Sequence, residues 1–169
     1  MAPLKAGDAF PSDVKFSYVV PTPDTADVLA CGMPVPYDAS KEFADKKVVL
    51  VAVPGAFTPT CQNTHITGYL AKLADLKSKG VDRVICIAYN DAFVMSAWGK
   101  ANGIKDDSVL FMSDDGTKFS QSIGWTMLPD APRTSRYAMI IDHGKVVYAE
   151  KEPAKGVTVS GVDDVLAKL

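Results

Sequence analysis

The sequence predicts an α/β fold in which a central mixed β-sheet is flanked by helices. Two observations indicate this class. Short apolar, β-branched runs alternate with segments of helical hydrophobic periodicity through the middle of the chain, which is typical of a sheet covered by helices. Near the C-terminus, two strand-like runs flank the turn dipeptide His143-Gly144, and this hairpin signal adds antiparallel strands to the sheet.

The first half of the chain is expected to form hairpins, then strand, helix and strand. Residues up to about 44 are rich in proline and contain short β-type runs such as residues 16–20, which predicts hairpins and loops. The apolar run over residues 48–53 predicts a buried core strand. Tyrosine and leucine then recur at helical spacing, so a helix is predicted over 59–79, followed by an apolar strand over 83–88.

The second half continues the alternation and then closes it. The predicted elements are a helix over 91–101, a strand over 109–112, a helix over 118–123, strands over 136–142 and 145–150, and a last helix. Asn90 is the predicted N-cap of the first of these helices, which should end at Asn102-Gly103. Ser160 and Asp163 have the spacing of a capping box, which would open the last helix.

The composition is that of an ordinary soluble globular protein, and we expect one domain over residues 1–169. Hydrophobic residues make up 47% and charged residues 22% of the 169 residues, enough length and apolar content for a substantial core. The net charge of −2 gives no electrostatic basis for binding nucleic acid. No apolar stretch is long enough to cross a bilayer, so no membrane span is expected.

The chain has three cysteines, Cys31, Cys61 and Cys86, and no two of them form a Cys-x-x-Cys pair. This spacing argues against a thioredoxin-type dithiol motif and against a zinc ribbon. An odd number of cysteines in a chain without a secretory signal indicates reduced thiols in a reducing compartment.

Cys61 is the candidate nucleophile because of its place at a helix start. Pro54 and Gly55 break the preceding strand, Thr58 is suited to cap the helix, and Pro59 suits its first position. Free backbone N–H groups and the helix dipole in the first turn favour an anion, and the thiolate is the reactive form of cysteine. The alternative is an unreactive buried cysteine, which is the commoner fate of a free thiol.

These residues carry a specific resemblance to a known family. Pro54, Thr58 and Cys61 match the Pro-x-x-x-Thr-x-x-Cys signature of the peroxiredoxins, and residues 89–98 and 136–142 match further segments. The chain resembles the atypical type II branch, the peroxiredoxin-5-like group, over nearly its whole length. It is most similar to fungal members, several of which are peroxisomal and some of which are allergens. This resemblance implies a thioredoxin-like fold, to which the N-terminal hairpin is an extension.

The resemblance also implies a thiol-dependent peroxidase that reduces hydrogen peroxide and organic hydroperoxides through a cysteine sulfenic acid, without a metal, haem or other cofactor. It identifies Arg136 as the active-site arginine, which would stabilise the Cys61 thiolate and hold the peroxide oxygens. The hydroxyl of Thr58 would accept from the backbone and donate to the peroxide, and Pro54 would shield the sulfur from water. His65, four residues after the cysteine, is a secondary residue that could tune the thiol. Trp98 and Phe93 are interpreted as packing or interface residues.

Two thiols are candidates to resolve the sulfenic acid. Cys31 lies in a segment rich in glycine and proline, and fungal relatives place their resolving cysteine there. Cys86 lies inside an apolar strand, where core filling is its default role, although plant relatives resolve through a cysteine at the matching place. We favour Cys31, acting across a homodimer, because a loop thiol can move to meet the oxidised cysteine.

The reductant, whether thioredoxin, glutaredoxin or glutathione, stays open at this point, and so does the compartment. Ala167-Lys168-Leu169 is a conservative variant of the Ser-Lys-Leu address, so a peroxisomal import receptor is a candidate partner, and the peroxisomal matrix or the cytoplasm is the expected location. The rival function is a non-enzymatic redox sensor or holdase. A cysteine hydrolase is disfavoured, because its histidine base would have to be His65 or His143.

Overall fold

A seven-stranded mixed β-sheet forms the centre of the molecule, in a computed structural model that describes residues 2–127 and 132–169. The strands are β1 (Lys15–Val19), β2 (Pro34–Asp38), β3 (Lys47–Ala52), β4 (Arg83–Ala88), β5 (Leu110–Ser113), β6 (Tyr137–Asp142) and β7 (Lys145–Lys151). Their order across the sheet is β2-β1-β5-β4-β3-β6-β7. Strand β3 runs parallel to β4, and β4 runs parallel to β5. Strands β6 and β7 add to the other side of β3 in antiparallel fashion, which confirms the predicted mixed sheet.

The N-terminal extension is a hairpin, as predicted. Strands β1 and β2 pair antiparallel over their whole length, from Lys15 opposite Asp38 to Val19 opposite Pro34. Strand β1 joins the sheet through β5, with Ser17 opposite Ser113. The hairpin therefore lies at the edge of the sheet, beyond the parallel strands.

The helices lie on both faces of the sheet. They are α1 (Ala39–Glu42), a π-helical segment (Cys61–Ile66), α2 (Thr67–Ala71), α3 (Leu73–Ser78), α4 (Ala92–Ala101), α5 (Lys118–Ser122) and α6 (Val162–Leu166), with short 3-10 turns at Pro23–Thr25, Phe43–Asp45 and Asp115–Thr117. In the part of the chain that the structure describes, no helix has the length and apolar character needed to span a bilayer.

Strand β3 separates two apolar clusters because its side chains alternate between the faces of the sheet. Val48 and Leu50 belong to the cluster that also contains Phe119 of α5. Val49 and Val51 belong to the other cluster, which contains Cys61, Trp98 and the buried face of α6. All residues of β3 from Val48 onward are fully buried, which explains why the strand reads as an unbroken apolar run. The candidate nucleophile thus lies on the face of the sheet that α4 and α6 cover.

The helix predicted over 59–79 is interrupted twice. It begins at Pro59, but Cys61–Ile66 is π-helical, and Lys72 leaves the helical conformation at φ −120° and ψ 22° before α3 begins. The prediction of one continuous α-helix is wrong in this respect, because a local widening of the helix is decided by tertiary contacts and has no glycine or proline signal here. Such π-helical turns are rare and occur frequently at functional sites.

Two predicted helix caps are also wrong. Asp91, and not Asn90, is the N-cap of α4, and its carboxylate accepts from the backbone N–H of Val94 at 2.9 Å. Helix α6 has Gly161 as its N-cap without a side-chain bond, because the Ser160 hydroxyl is used elsewhere. In both cases the predicted capping side chain forms a hydrogen bond outside its own helix turn, which local spacing does not reveal.

The turn between β6 and β7 is formed as predicted. His143 and Gly144 both have positive φ, 49° and 77°, as a two-residue type I′ hairpin requires. At the end of the hairpin away from this turn, Arg136 lies just before β6 and next to the end of β3.

Candidate active site

Cys61 lies beyond the carboxyl end of β3, near the start of the helix that follows. Pairing between the parallel strands continues past β3, where the N–H of Val53 donates to the carbonyl of Ile87 at 3.0 Å. The next turn is tied to the end of β4 by Asn90, whose Oδ1 accepts from the backbone N–H of Ala56 at 2.8 Å. This contact explains why Asn90 does not cap α4. Cys61 is only 2% exposed and lines a pocket.

The turn before the cysteine is tightly packed and strained. Phe57 has φ 58°, in the left-handed region that a non-glycine residue adopts at a cost. A Cβ atom added to Gly55 would lie 3.2 Å from Cγ2 of Thr58 and 3.3 Å from Nη1 of Arg133, so glycine is the residue that fits there. This packing fixes Thr58 next to the pocket.

Thr58 uses its hydroxyl proton within the turn. The hydroxyl donates to the carbonyl of Gly55 at 2.7 Å, instead of accepting from the helix backbone as the predicted cap would. Because a hydroxyl has a single proton, Thr58 presents an acceptor to the pocket, where the sequence predicted a donor. Half-buried Pro54 lines the same pocket, together with Cys61 and Arg136.

Arg136 contacts the sulfur directly. Its Nη2 donates to Sγ of Cys61 at 3.4 Å, although the two residues are far apart in sequence. The contact arises because Tyr137, the first residue of β6, pairs with Ala52, the last residue of β3, so the preceding arginine reaches across the start of the cysteine helix. The structure therefore brings together the four residues for which a catalytic role is predicted.

His65 is the second partner of Arg136. Its Nδ1 lies 3.0 Å from Nη1 of Arg136, and its Nε2 lies 2.8 Å from the carbonyl oxygen of Ser160. Since arginine only donates and a carbonyl only accepts, Nδ1 must be unprotonated and Nε2 must carry the proton. Burial lowers the pKa of His65 to about 4, the Arg136 charge acts in the same direction, and the hydrogen bond to Ser160 opposes both. The imidazole is therefore neutral near pH 7 and orients the guanidinium.

Glu152 and Ser160 belong to the surroundings of the site, and the sequence did not single out either for such a role. The carboxylate of Glu152 accepts hydrogen bonds from the backbone N–H groups of Thr158, Val159 and Ser160 at 2.8 to 2.9 Å. Burial alone would raise the pKa of Glu152, but these and two hydroxyl hydrogen bonds outweigh it and lower the pKa to about 2. Glu152 is thus a permanent anion whose lone pairs are in use, and it does not act as a general base.

Arg133 is a further pocket residue that sequence reasoning did not assign. Its guanidinium carbon lies 4.8 Å from the centre of the Tyr89 ring, in a cation–π arrangement, and its side chain lines the pocket above Cys61. Its position three residues before Arg136 is the only local signal that could have drawn attention to it. A second cation therefore faces the pocket.

The two candidate resolving thiols have opposite environments. Cys31 is exposed in the loop before β2, and the carbonyl of the preceding Ala30 accepts a hydrogen bond from Nζ of Lys100 at 2.8 Å. Cys86 is fully buried in β4, in the same apolar cluster as Cys61, and burial raises its pKa. The three thiols are free, and which of them resolves stays a prediction.

Trp98 and Phe93, which the sequence indicates as packing or interface residues, lie on α4. Trp98 is fully buried and donates its ring N–H to Gln62, next to the cysteine, whereas Phe93 is 48% exposed on the same helix. In the segment Ala167-Lys168-Leu169, the last side chain is half-buried and packs against the apolar cluster that contains Cys61.

Acidification should destabilise the protein through His65. The folded pKa of about 4 lies below the ordinary value of 6.5, so between these values the unfolded chain binds more protons. The contribution of His65 to the free energy of unfolding is therefore fully present above pH 6.5. It falls by roughly 3 kcal/mol as the pH approaches 4. Urea denaturation at a series of pH values measures this loss.

His65→Gln should remove this part of the pH dependence, because glutamine offers an acceptor and a donor but does not titrate. His143→Gln is the matched control, since His143 is exposed in the hairpin turn. Glu152 adds a second loss at lower pH, from its ordinary 4.5 to about 2. An unchanged slope between pH 6.5 and 4 in His65→Gln would contradict the assignment of a neutral, buried imidazole.

Comparison with known proteins gives a consistent result. The model of the Redoxin family matches residues 5–166. Peroxiredoxin AHP1 of Chaetomium thermophilum is 59% identical over 100% of this chain and 96% of its own length. A putative peroxisomal peroxiredoxin of Lipomyces kononenkoae is 54% identical over 96% of this chain and 99% of its own.

A solved structure has the same architecture. Reduced Prx3 from Vibrio vulnificus, in complex with H2O2, superposes with a TM-score of 0.83 and is 37% identical, covering 97% of this chain and 98% of that chain. The thioredoxin-like fold that the resemblance implied is confirmed, and so is the class of enzyme. With the geometry around Cys61 and these relatives in agreement, the chain belongs to the Redoxin family, and within it to the peroxiredoxins, which are thiol peroxidases.

Proposed function

We propose that the chain reduces hydrogen peroxide and organic hydroperoxides through the thiolate of Cys61. The sulfur attacks the terminal peroxide oxygen, an S–O bond forms, and the O–O bond breaks. The leaving hydroxide or alkoxide takes a proton from water, and Cys61 becomes a sulfenic acid. Apart from that proton, the step consumes only the peroxide.

The contact between Arg136 and Cys61 carries this proposal. A guanidinium whose Nη2 lies 3.4 Å from the sulfur stabilises the thiolate, and the same N–H can turn to the oxygen on which negative charge develops. Neutral His65 holds Nη1 at 3.0 Å, so the fork keeps its orientation while the charge moves from sulfur to oxygen. Thr58, as an acceptor, is suited to receive the O–H of the peroxide and to orient it.

Turnover separates this function from the rival redox sensor or holdase. A peroxidase consumes many equivalents of peroxide per chain when a thiol reductant is supplied, whereas a sensor consumes a single equivalent. Following peroxide loss with thioredoxin, glutaredoxin or glutathione as the reductant tests the function and identifies the preferred recycling system. Consumption that stops after one equivalent with all three would contradict the proposal.

We infer that Cys31 resolves the sulfenic acid, within a homodimer, by forming a disulfide with Cys61 and releasing water. Its exposure and its place in a loop support this role, because a disulfide requires Cα atoms within about 7 Å and a loop can move to meet that distance. Cys86 would have to bring hydrogen-bonded backbone of β4 with it.

Cys31→Ser should leave the first oxidation of Cys61 fast but block recycling. Cys61 should then accumulate as sulfenic acid and over-oxidise to sulfinic acid as the peroxide concentration rises. Cys86→Ser is the matched control and should recycle normally with a small loss of stability, since it changes a buried sulfur. Mass spectrometry of peroxide-treated protein under non-reducing conditions reads out the oxidation states and shows whether the disulfide joins two chains.

The opposite result would assign the role differently. Normal recycling of Cys31→Ser together with stalling of Cys86→Ser would make Cys86 the resolving residue. Normal recycling of both variants with glutathione or glutaredoxin would indicate a mechanism with Cys61 alone.

We propose the peroxisomal matrix as the site of action, with the cytoplasm as the alternative. The name of the Lipomyces kononenkoae relative and the resemblance of Ala167-Lys168-Leu169 to a peroxisomal address support this location. Cell fractionation with and without Leu169 tests it, and an identical distribution of the two forms would argue against use of this address.

A further inference from the structure

Glu152 has the most heavily hydrogen-bonded side chain near the site, yet it takes no part in the proposed chemistry. Its Oε1 accepts from the N–H groups of three consecutive residues, Thr158, Val159 and Ser160, and from the Ser160 hydroxyl at 2.7 Å. Its Oε2 accepts from the Thr158 hydroxyl at 2.6 Å. Only 9% of the residue is exposed. Successive N–H groups that converge on one carboxylate form a fixed anion cradle, here occupied by the protein's own side chain.

This cradle closes the loop between β7 and α6 on itself. Glu152 stands directly after β7, where its N–H donates to the carbonyl of Arg136 at 2.9 Å. The Glu152 side chain therefore begins beside the backbone of Arg136. Its carboxylate binds residues 158–160, at the far end of the loop, and holds them near that backbone. The tip of the loop, Pro153 to Lys155, is exposed. The position of Ser160 relative to Arg136 thus depends on the Glu152 side chain.

The carbonyl of Ser160 in turn selects the form of His65. It accepts from Nε2–H of His65 at 2.8 Å and from the hydroxyl of Tyr69 at 2.6 Å. With the proton held on Nε2, the Nδ1 atom is free to accept from Arg136. A proton on Nδ1 would point at the guanidinium N–H, and Arg136 would have to move away from Cys61.

We propose that Glu152 is a positioning residue of the peroxidase site, which acts through the Ser160 carbonyl and the His65 tautomer to hold Arg136 against Cys61. This inference rests on the proposed function of Cys61 and Arg136. Glu152 touches neither the sulfur nor a peroxide, and its effect is to fix the chain of contacts behind the arginine. A misplacement of about 1 Å at the reacting groups is enough to slow a reaction by up to 100-fold.

The test compares Glu152→Ala with two milder variants and a control. Glu152→Gln keeps the shape and one strong acceptor but loses the charge, and Thr158→Val removes one hydroxyl donor. Glu150→Ala is the matched control, because Glu150 is an exposed carboxylate near the end of β7, two residues before Glu152. Three quantities are measured: the 15N shifts of the His65 ring, the pH midpoint of Cys61 alkylation by iodoacetamide, and the single-turnover rate of Cys61 oxidation by hydrogen peroxide.

We expect Glu152→Ala to protonate Nδ1 of His65 in part of the molecules, to move the alkylation midpoint to higher pH, and to slow Cys61 oxidation about 10- to 100-fold. Glu152→Gln and Thr158→Val should change the same three quantities in the same directions but by smaller amounts. Glu150→Ala should change none of them. The chain has two histidines, so His143 serves as the internal reference in the spectrum. If Glu152→Ala does not fold, the two milder variants decide the outcome.

Unchanged His65 shifts and an unchanged oxidation rate in all the folded variants would reduce Glu152 to a structural residue. Slower oxidation with wild-type His65 shifts would overturn the route through the imidazole. The ring shifts and the alkylation midpoint do not depend on peroxidase activity, so they also decide the inference if peroxide proves not to be the substrate. Failure of the proposed function would appear separately, as wild-type Cys61 that hydrogen peroxide does not oxidise.

Discussion

Cys61→Ser is expected to abolish peroxide consumption while the fold stays intact. Serine is nearly isosteric with cysteine, so the buried site and its contact with Arg136 can be kept. Its hydroxyl does not ionise near neutral pH, and the anionic sulfur is the nucleophile of the proposed step. Loss of a nucleophile typically costs enzymes several orders of magnitude, and we expect a loss of about 10⁴-fold or more.

The measurement is the rate of hydrogen peroxide loss in the presence of excess thiol reductant, with circular dichroism to check the fold. Cys86→Ser is the control for removing a buried sulfur elsewhere in the same apolar cluster. A Cys61→Ser variant that retains more than trace activity would remove this residue from the mechanism.

Arg136→Lys should slow the oxidation of Cys61 roughly 100-fold even though the positive charge is kept. The guanidinium bridges two partners with separate nitrogen atoms, His65 through Nη1 at 3.0 Å and Cys61 through Nη2 at 3.4 Å. An ammonium group has one nitrogen and no planar fork, so it cannot hold both contacts in this geometry.

Single-turnover oxidation of Cys61, followed by rapid mixing with hydrogen peroxide, isolates this step from recycling. Arg83→Lys is the matched control, because Arg83 lies at the start of β4 and pairs with Asp107 on the surface. A rate for Arg136→Lys equal to that of the wild type would mean that Arg136 acts only as a structural charge.

The centre of the sheet could be predicted because strands β3, β4, β5 and β6 are buried on both faces. An unbroken apolar run such as 48–53 has no other common explanation at that length, and His143-Gly144 marks a turn by its backbone requirements. The interruptions of the helix that contains Cys61 could not be predicted in this way. Its π-helical turn and the break at Lys72 depend on contacts with distant parts of the chain, and neither proline nor glycine marks them.

Local spacing likewise predicts only part of the site. Cys61 and Thr58 are neighbours within one turn, so local spacing brings them together, whereas the pairing of Cys61 with Arg136 came from family resemblance. Ser160 contributes a backbone carbonyl, which every residue type carries, so no sequence pattern could have revealed its bond to His65. The direction of the Thr58 hydrogen bond was predicted wrongly because the competing acceptor, the carbonyl of Gly55, is also a backbone atom.

The most direct test of the proposed mechanism is to identify the first atom that peroxide oxidises. The protein is mixed with one equivalent of hydrogen peroxide, trapped within milliseconds by a reagent specific for sulfenic acids, and digested for mass spectrometry. The mechanism predicts that the trapped adduct lies on the peptide that contains Cys61, and that it forms before any disulfide. An adduct that appears first on Cys31 or Cys86, or oxidation of all three thiols at the same slow rate, would contradict it.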